Sequence, residues 1–287
     1  MSEIPRREFL ERAVLSAGAA AAAFPALVRG AGKKSFAAND RVPLGKTGIT
    51  MSRRGIVTGT HGGQDQRALG LKGLVDLLKH GYEKGITYWD LADAYRTHAF
   101  ARKALENIPR DKVVILTKTR ARTPEEIRSD VDRFLVELKT DHVDMCLLHC
   151  MTDRNWTEKF RPCLEALAEA KKQGKVRAVG CSCHSVQGLE NAAESDWVDV
   201  VLARINHTGA KMDAVPDKVV PVLKKIHAAG KGLLGMKIIG EGTIADRRRE
   251  SLDFVLNLGC VDAFNVGFTS KAQVDDIVSL MAQIPAG

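Results

Sequence analysis

Four side chains able to move protons or hold charge stand at the ends of short apolar runs. Asp90 closes Ile86-Thr87-Tyr88-Trp89, and Tyr95 follows in the loop Asp90-Leu91-Ala92-Asp93-Ala94-Tyr95. Lys118 follows Val113-Val114-Ile115-Leu116-Thr117, and His149 follows Val143-Asp144-Met145-Cys146-Leu147-Leu148. A carboxylate, a phenol, an ammonium and an imidazole are the equipment of acid–base chemistry. Each alone has an ordinary structural explanation: a loop cap, a rim aromatic, a solvated strand end, a core histidine. Their repetition just past three successive strands is the informative part, because the C-terminal face of an eight-fold α/β barrel is where such folds do chemistry.

The elements that must carry them repeat along the chain. Near-continuous apolar runs at 55–60, 86–90, 113–118, 143–149, 176–182, 198–204, 232–237 and 263–268 read as strands of a parallel sheet covered on both faces. Helical patterns alternate with them, such as Leu71-x-x-Leu74-Val75-x-x-Leu78 and Ile127-x-x-x-Val131-x-x-x-Leu135-x-x-Leu138. Thr123-Pro124-Glu125-Glu126 carries an N-cap, a first-turn proline and a capping-box acid. Gly81, Gly174 and Gly230 fall where helices should stop. Eight units predict a closed (β/α)8 TIM barrel over residues 35–287. The run 41–52, with its Lys46-Thr47-Gly48 turn, predicts a β-hairpin plugging one end. A dinucleotide-binding open sheet would need Gly-x-Gly-x-x-Gly after its first strand, and Gly59-Thr60-His61-Gly62-Gly63 does not supply it.

The chain has 287 residues, 45% hydrophobic and 27% charged, with a formal charge of +8. Residues 1–34 hold six Lys/Arg against three Glu, so +3 of that charge lies there. The one basic tract beyond it, Arg247-Arg248-Arg249, lacks interleaved aromatics and reads as a helix start; nothing points to nucleic acid. Arg6-Arg7-Glu8-Phe9-Leu10, an Ala-rich apolar run to Val28 and a small-residue segment to Lys34 resemble a twin-arginine export signal. Export by that machinery to the periplasm is the expectation for 1–34. The apolar run is too short and too rich in alanine for a stable membrane span. Six cysteines, none in Cys-x-x-Cys spacing, read as reduced core thiols with no metal site.

Taken in order, the landmarks resemble the aldo-keto reductase family over nearly all of 41–280. They are Leu44-Gly45-Lys46-Thr47-Gly48, Gly59-Thr60, Asp90-x-Ala92-x-x-Tyr95, Lys118, Leu138-x-Thr140-Asp141-x-Val143-Asp144-x-x-Leu147-Leu148-His149, and Gly174-Lys175-Val176-Arg177-Ala178-Val179-Gly180-x-Ser182. The resemblance implies a nicotinamide oxidoreductase acting on aldehydes, ketones or the matching alcohols. It implies Tyr95 as general acid, Lys118 lowering the phenol's pKa from about 10, Asp90 holding Lys118, and His149 orienting the carbonyl oxygen. It further implies that Thr60, Asp90, Ser182, Cys183, Lys237, Phe268 and Gln273 face an NADP or NAD cofactor.

Three departures stand out. Ser182-Cys183 replaces the Ser-Asn pair that grips the nicotinamide carboxamide, and a thiol does not reproduce an amide's donor and acceptor. Met236-Lys237 replaces the stacking aromatic. Gln273 stands where relatives have an arginine, leaving only Lys271 to face a 2′-phosphate and the cofactor preference open. Gly240-Glu241-Gly242 is a candidate phosphate loop after the seventh barrel strand. A reductase-like barrel that binds cofactor without turnover, as a sensing or interaction module, is the alternative. A metal-dependent hydrolase lacks clustered His and carboxylate ligands at the strand ends.

Overall fold

A computed structural model describes residues 35–287; the expected export segment, 1–34, lies outside them. Two short antiparallel strands, β1 (Arg41–Pro43) and β2 (Thr50–Ser52), form the N-terminal hairpin. Eight parallel strands then close on themselves: β3 (Arg54–Val57), β4 (Tyr88–Asp90), β5 (Val114–Thr119), β6 (Val143–Met151), β7 (Val176–Cys183), β8 (Val200–Arg204), β9 (Gly232–Met236) and β10 (Ala263–Val266). The closing seam pairs Gly55 of β3 with Asn265 of β10. Helices connect successive strands, so the chain is the TIM barrel that its eight-fold alternation predicts.

Alternation along each strand divides the apolar residues between two cores. Met145, Leu147, Ala178, Val200, Leu202 and Leu234 pack inside the cylinder. Cys146, Leu148, Val179, Cys181, Val201 and Leu233 pack outside it, against the helices. The hairpin closes the bottom by adding Val42, Leu44, Ile49 and Met51 to the inner cluster. Gly45 makes that fit possible: its φ is +46°, and a Cβ there would lie 2.4 Å from the Gly232 nitrogen. The barrel's lower end is therefore sealed, and its upper end is left for chemistry.

The predicted punctuation holds at two of three glycines. Gly174 and Gly230 take positive φ just after helices Arg161–Lys172 and Pro216–Ala228. Gly81 instead lies within helix Gly70–Glu83, and the left-handed stop falls at Gly85. Packing explains the difference, since a Cβ on Gly81 would meet Ile56 Cδ1 at 2.3 Å. The Thr123–Glu126 capping box forms in full, a device worth about 1 kcal/mol. Arg248 opens helix Arg248–Leu256, as the basic tract predicted.

Candidate active site

β4 ends on Asp90, and the neighbouring β5 brings Lys118 beside it, both 1% exposed. The Lys118 ammonium donates to Asp90 and to the Leu91 carbonyl, the latter at 2.8 Å. The second Asp90 oxygen accepts from the Asn265 amide on β10. Tyr95 sits in the turn Asp93–Tyr95 after β4. Its ring packs so close to Gly59 that a Cβ there would lie 2.3 Å from ring carbons. His149, near the end of β6, meets Tyr95 edge to face with ring centroids 5.8 Å apart. Strand ends 28 and more residues apart in sequence thus converge on one mouth.

No hydrogen bond joins Lys118 to the phenol oxygen; its Nζ lies over the Tyr95 ring, 4.8 Å from the centroid. Its hydrogen bonds to the Asp90 carboxylate and the Leu91 carbonyl hold it there. Burial pushes the Asp90 carboxyl up and the Lys118 ammonium down, and the attraction between them opposes both shifts. Burial of Tyr95 among its neighbours, then the charge of Asp90, hold the hydroxyl well above its ordinary value, with Arg120 pulling the other way. The resting phenol is therefore firmly protonated.

Burial first, then Lys118, His184 and the arginines Arg120 and Arg122, push His149 down to about 2. His184 falls to about 3 through burial, then Arg204 and Lys237. Both imidazoles are neutral near pH 7, so His149 is a hydrogen-bonding group rather than a cation. In the unfolded chain each would bind a proton near pH 6.5. The unfolded state then holds more protons below that pH, and stability falls as pH drops through 6.5 towards 3. The slope reaches at most about 1.4 kcal/mol per pH unit per imidazole. Urea midpoints measured at neutral pH and about two units lower should show the loss, and a His184→Gln variant should lose less.

Beside the four residues runs a groove of ≈ 670 Å³, a size that suits a cofactor or small ligand. Thr60, Asp90, Lys237, Phe268 and Gln273 line it, as does Tyr95. Ser182 and Cys183 do not. The Ser182 hydroxyl accepts from the Cys150 N–H at 3.0 Å, and Cys183 is packed in the outer core, its sulfur 3.6 Å from that of Cys181. Strand alternation sends Cys183 under the helices. Phe268 is nearly buried, with the Arg54 guanidinium 5.0 Å from its ring centroid. Glu241, in the predicted phosphate loop, pairs with Lys237 and accepts from the His61 N–H, tying two rim loops together across the groove.

Several residues escaped the sequence reading. Asn265 is the lone polar residue inside an otherwise apolar strand, a signal that was available. Gln66, wholly buried, donates to Thr60 Oγ1 and the Phe268 carbonyl and so fastens the loop after β3 to the loop after β10. His184 and Arg204 end or follow strands just as Lys118 and His149 do, and the same rule would have singled them out. Cys150 is only half-buried, unlike the other five cysteines.

Residues 56–265 match the aldo/keto reductase family. The chain belongs to that family. Among curated relatives, the NADH-specific methylglyoxal reductase of Escherichia coli (strain K12) is 25% identical over 189 residues, 57% of this chain and 58% of its own length. The probable aldo-keto reductase 1 of Glycine max is 26% identical over 222 residues, covering 70% and 60% respectively. The match thus spans about three-fifths of each curated relative. A putative aldo-keto reductase from Pseudomonas aeruginosa superposes with a TM-score of 0.73 at 25% identity, covering 91% of this chain and 99% of that one. In this aldo/keto reductase, the four converging residues occupy the mouth of the family's barrel.

Proposed function

We propose that the protein is a nicotinamide-dependent oxidoreductase that interconverts small aldehydes or ketones and their alcohols, with Tyr95 as the proton donor. One observation carries this reading: a buried Lys118–Asp90 pair lies beneath the Tyr95 ring, with a neutral His149 beside it, at the end of a cofactor-sized groove. The groove suits a dinucleotide. The N-terminal turn of helix Lys271–Ala282 opens onto it through Ala272 and Gln273, and helix N-termini favour phosphate. Thr60, Lys237, Phe268, Thr269 and Gln273 would hold the cofactor, which when bound supplies the hydride. The Tyr95 hydroxyl would give its proton to the developing alkoxide. His149 would hydrogen-bond the same oxygen and fix its direction. Lys118 would place positive charge under the ring as the phenol ionises, held there by Asp90 and Asn265.

The lining also bears on cofactor preference. Its lysine and its arginine are both paired, Lys237 with Glu241 and Arg248 with Asp276 at 2.7 and 3.2 Å. Gln273 spends its amide oxygen on Thr269, and Lys271 lies outside the lining. A 2′-phosphate would have to break an existing ion pair to find a cation. NADH should bind tighter than NADPH, by roughly tenfold, about 1.4 kcal/mol, in a fluorescence titration. Equal or tighter NADPH binding would count against the assignment. The name of the Escherichia coli relative agrees with that order and makes 2-oxoaldehydes the first substrates to assay.

The alternative, a cofactor-sensing module without turnover, draws support from the position of Ser182 and Cys183, neither of which lines the groove. Cofactor binding without Tyr95-dependent turnover would select it. For residues 1–34 we propose twin-arginine export to the periplasm with the cofactor already bound. Nicotinamide absorbance in protein purified from the exported fraction tests that proposal.

A further inference from the structure

The end of β6 carries a feature that the proposed reductase chemistry does not use. The pairing of β6 with β7 slips between Leu148 and Met151, and Cys150 takes φ +65°. Met145 and Leu147 face the barrel interior, so alternation would put Met151 inside as well, yet Met151 packs in the outer core. A bulge at His149–Cys150 reverses the parity. Bulges beside active sites re-aim side chains, and a left-handed non-glycine residue is a strained position retained by its surroundings. Here the result is that two consecutive residues serve the same mouth.

The reactive atoms of His149, Cys150 and His184 all lie within 4.8 Å of one another. The His184 Nε2 is 3.7 Å from the Cys150 sulfur. Its other nitrogen, Nδ1, lies 2.7 Å from an Arg204 guanidinium nitrogen. Arginine can only donate, so Nδ1 accepts and the proton of the neutral ring sits on Nε2, directed at sulfur. Asp213 holds Arg204 in place at 2.8 Å. His149, 4% exposed, has a ring nitrogen within 4.8 Å of the same sulfur and no hydrogen-bond partner for its Nδ1. His149 also meets the Tyr95 ring edge to face, so the thiol stands beside the reacting groups.

Three clustered nitrogen and sulfur atoms also suggest a metal ion, but the surroundings oppose one. A metal on His184 Nε2 would need a proton on Nδ1, where a carboxylate or carbonyl normally receives it; here that position faces a donor. Lys118, Arg120, Arg122 and Arg204 supply a cationic neighbourhood around the two imidazoles that repels a divalent ion.

We propose that Cys150 is a nucleophile that reversibly captures small aldehydes at the barrel mouth as a hemithioacetal. The inference rests on the reading of the mouth as a carbonyl site. In the addition the S–H bond breaks and an S–C bond forms at the carbonyl carbon. The π pair moves to oxygen, and the proton shed by sulfur ends there as a hydroxyl. No electrons leave the pair of reactants, so neither cofactor nor oxidant is needed. Bound in this way, an aldehyde is held within reach of Tyr95 before or between turnovers.

The test uses the full chain with no nicotinamide added and acetaldehyde labelled with ¹³C at the carbonyl carbon. The expected result is a protein-bound hemithioacetal resonance in the wild type and in Tyr95→Phe, and its loss in Cys150→Ser. Because the Tyr95→Phe arm needs no hydride transfer, a protein that lacks reductase turnover can still give the adduct, so the two failures are distinguishable. Iodoacetamide followed by peptide mapping provides a second readout that keeps the thiol. Cys150 should be alkylated first, and Arg204→Met should slow it roughly tenfold, with unfolding midpoints checked for each variant. No adduct, or alkylation of Cys150 no faster than that of the buried cysteines, overturns the proposal. So does one tightly bound Zn²⁺ per chain that protects Cys150, which would make the cluster a metal centre.

Discussion

Replacing Tyr95 by phenylalanine should leave the fold and the cofactor titration intact and lower turnover by about 10²–10⁴-fold, the usual worth of a positioned general acid. The substitution removes one oxygen and keeps the ring. The ring's contacts persist: the edge-to-face packing on His149, the Lys118 ammonium over its face and the close approach of Gly59. The lost oxygen is the only part that can give a proton to a developing alkoxide. His149 cannot take over, because an imidazole pushed down to about 2 is not a cationic acid at working pH. The measurement is kcat with a 2-oxoaldehyde, beside a nicotinamide titration of the same variant. Retained turnover would remove Tyr95 from the chemistry, and with it the proposed mechanism.

Lys118→Met should cost more than activity. It leaves Asp90 fully buried with Asn265 as its remaining side-chain hydrogen-bond donor. Removing one member of a buried pair typically destabilises by about 3–5 kcal/mol, because the other charge stays behind without compensation. Burial already pushes the Asp90 carboxyl upward, so without the ammonium it should take up a proton and soften part of the loss. A second change, Asp90→Asn, removes the stranded charge altogether. The double variant should therefore regain much of the stability of the single one while staying inactive, since no cation then lies under Tyr95. Denaturant midpoints of the two single variants and the double close the cycle. A Lys118→Met protein as stable as the parent would mean that the pair contributes nothing to holding the mouth together.

Local pattern was enough to read the barrel. Each strand and helix carries its own periodicity and punctuation, as the Thr123–Glu126 cap and the apolar run 143–148 illustrate, and eight repeats of one unit admit few closures. The same holds for Asp90, Tyr95, Lys118 and His149: a residue just past a parallel strand's C-terminal end is placed on one face by the fold itself, so its approximate address follows from its position in the repeat. What the sequence alone determined was therefore the architecture and the short list of groups that share its mouth. Contacts between those groups depend on pairings distant in sequence. Asn265 reaches Asp90 across 175 positions, and Gln66 reaches Phe268 across 202. Whether Lys118 hydrogen-bonds the phenol or the Asp90 carboxylate, whether Cys183 looks into the groove or out towards the helices, and whether Cys150 faces the mouth were decided only by tertiary structure. A single bulge or a competing carboxylate redirects a side chain by a few ångströms, and no pattern of residue types encodes a displacement that small.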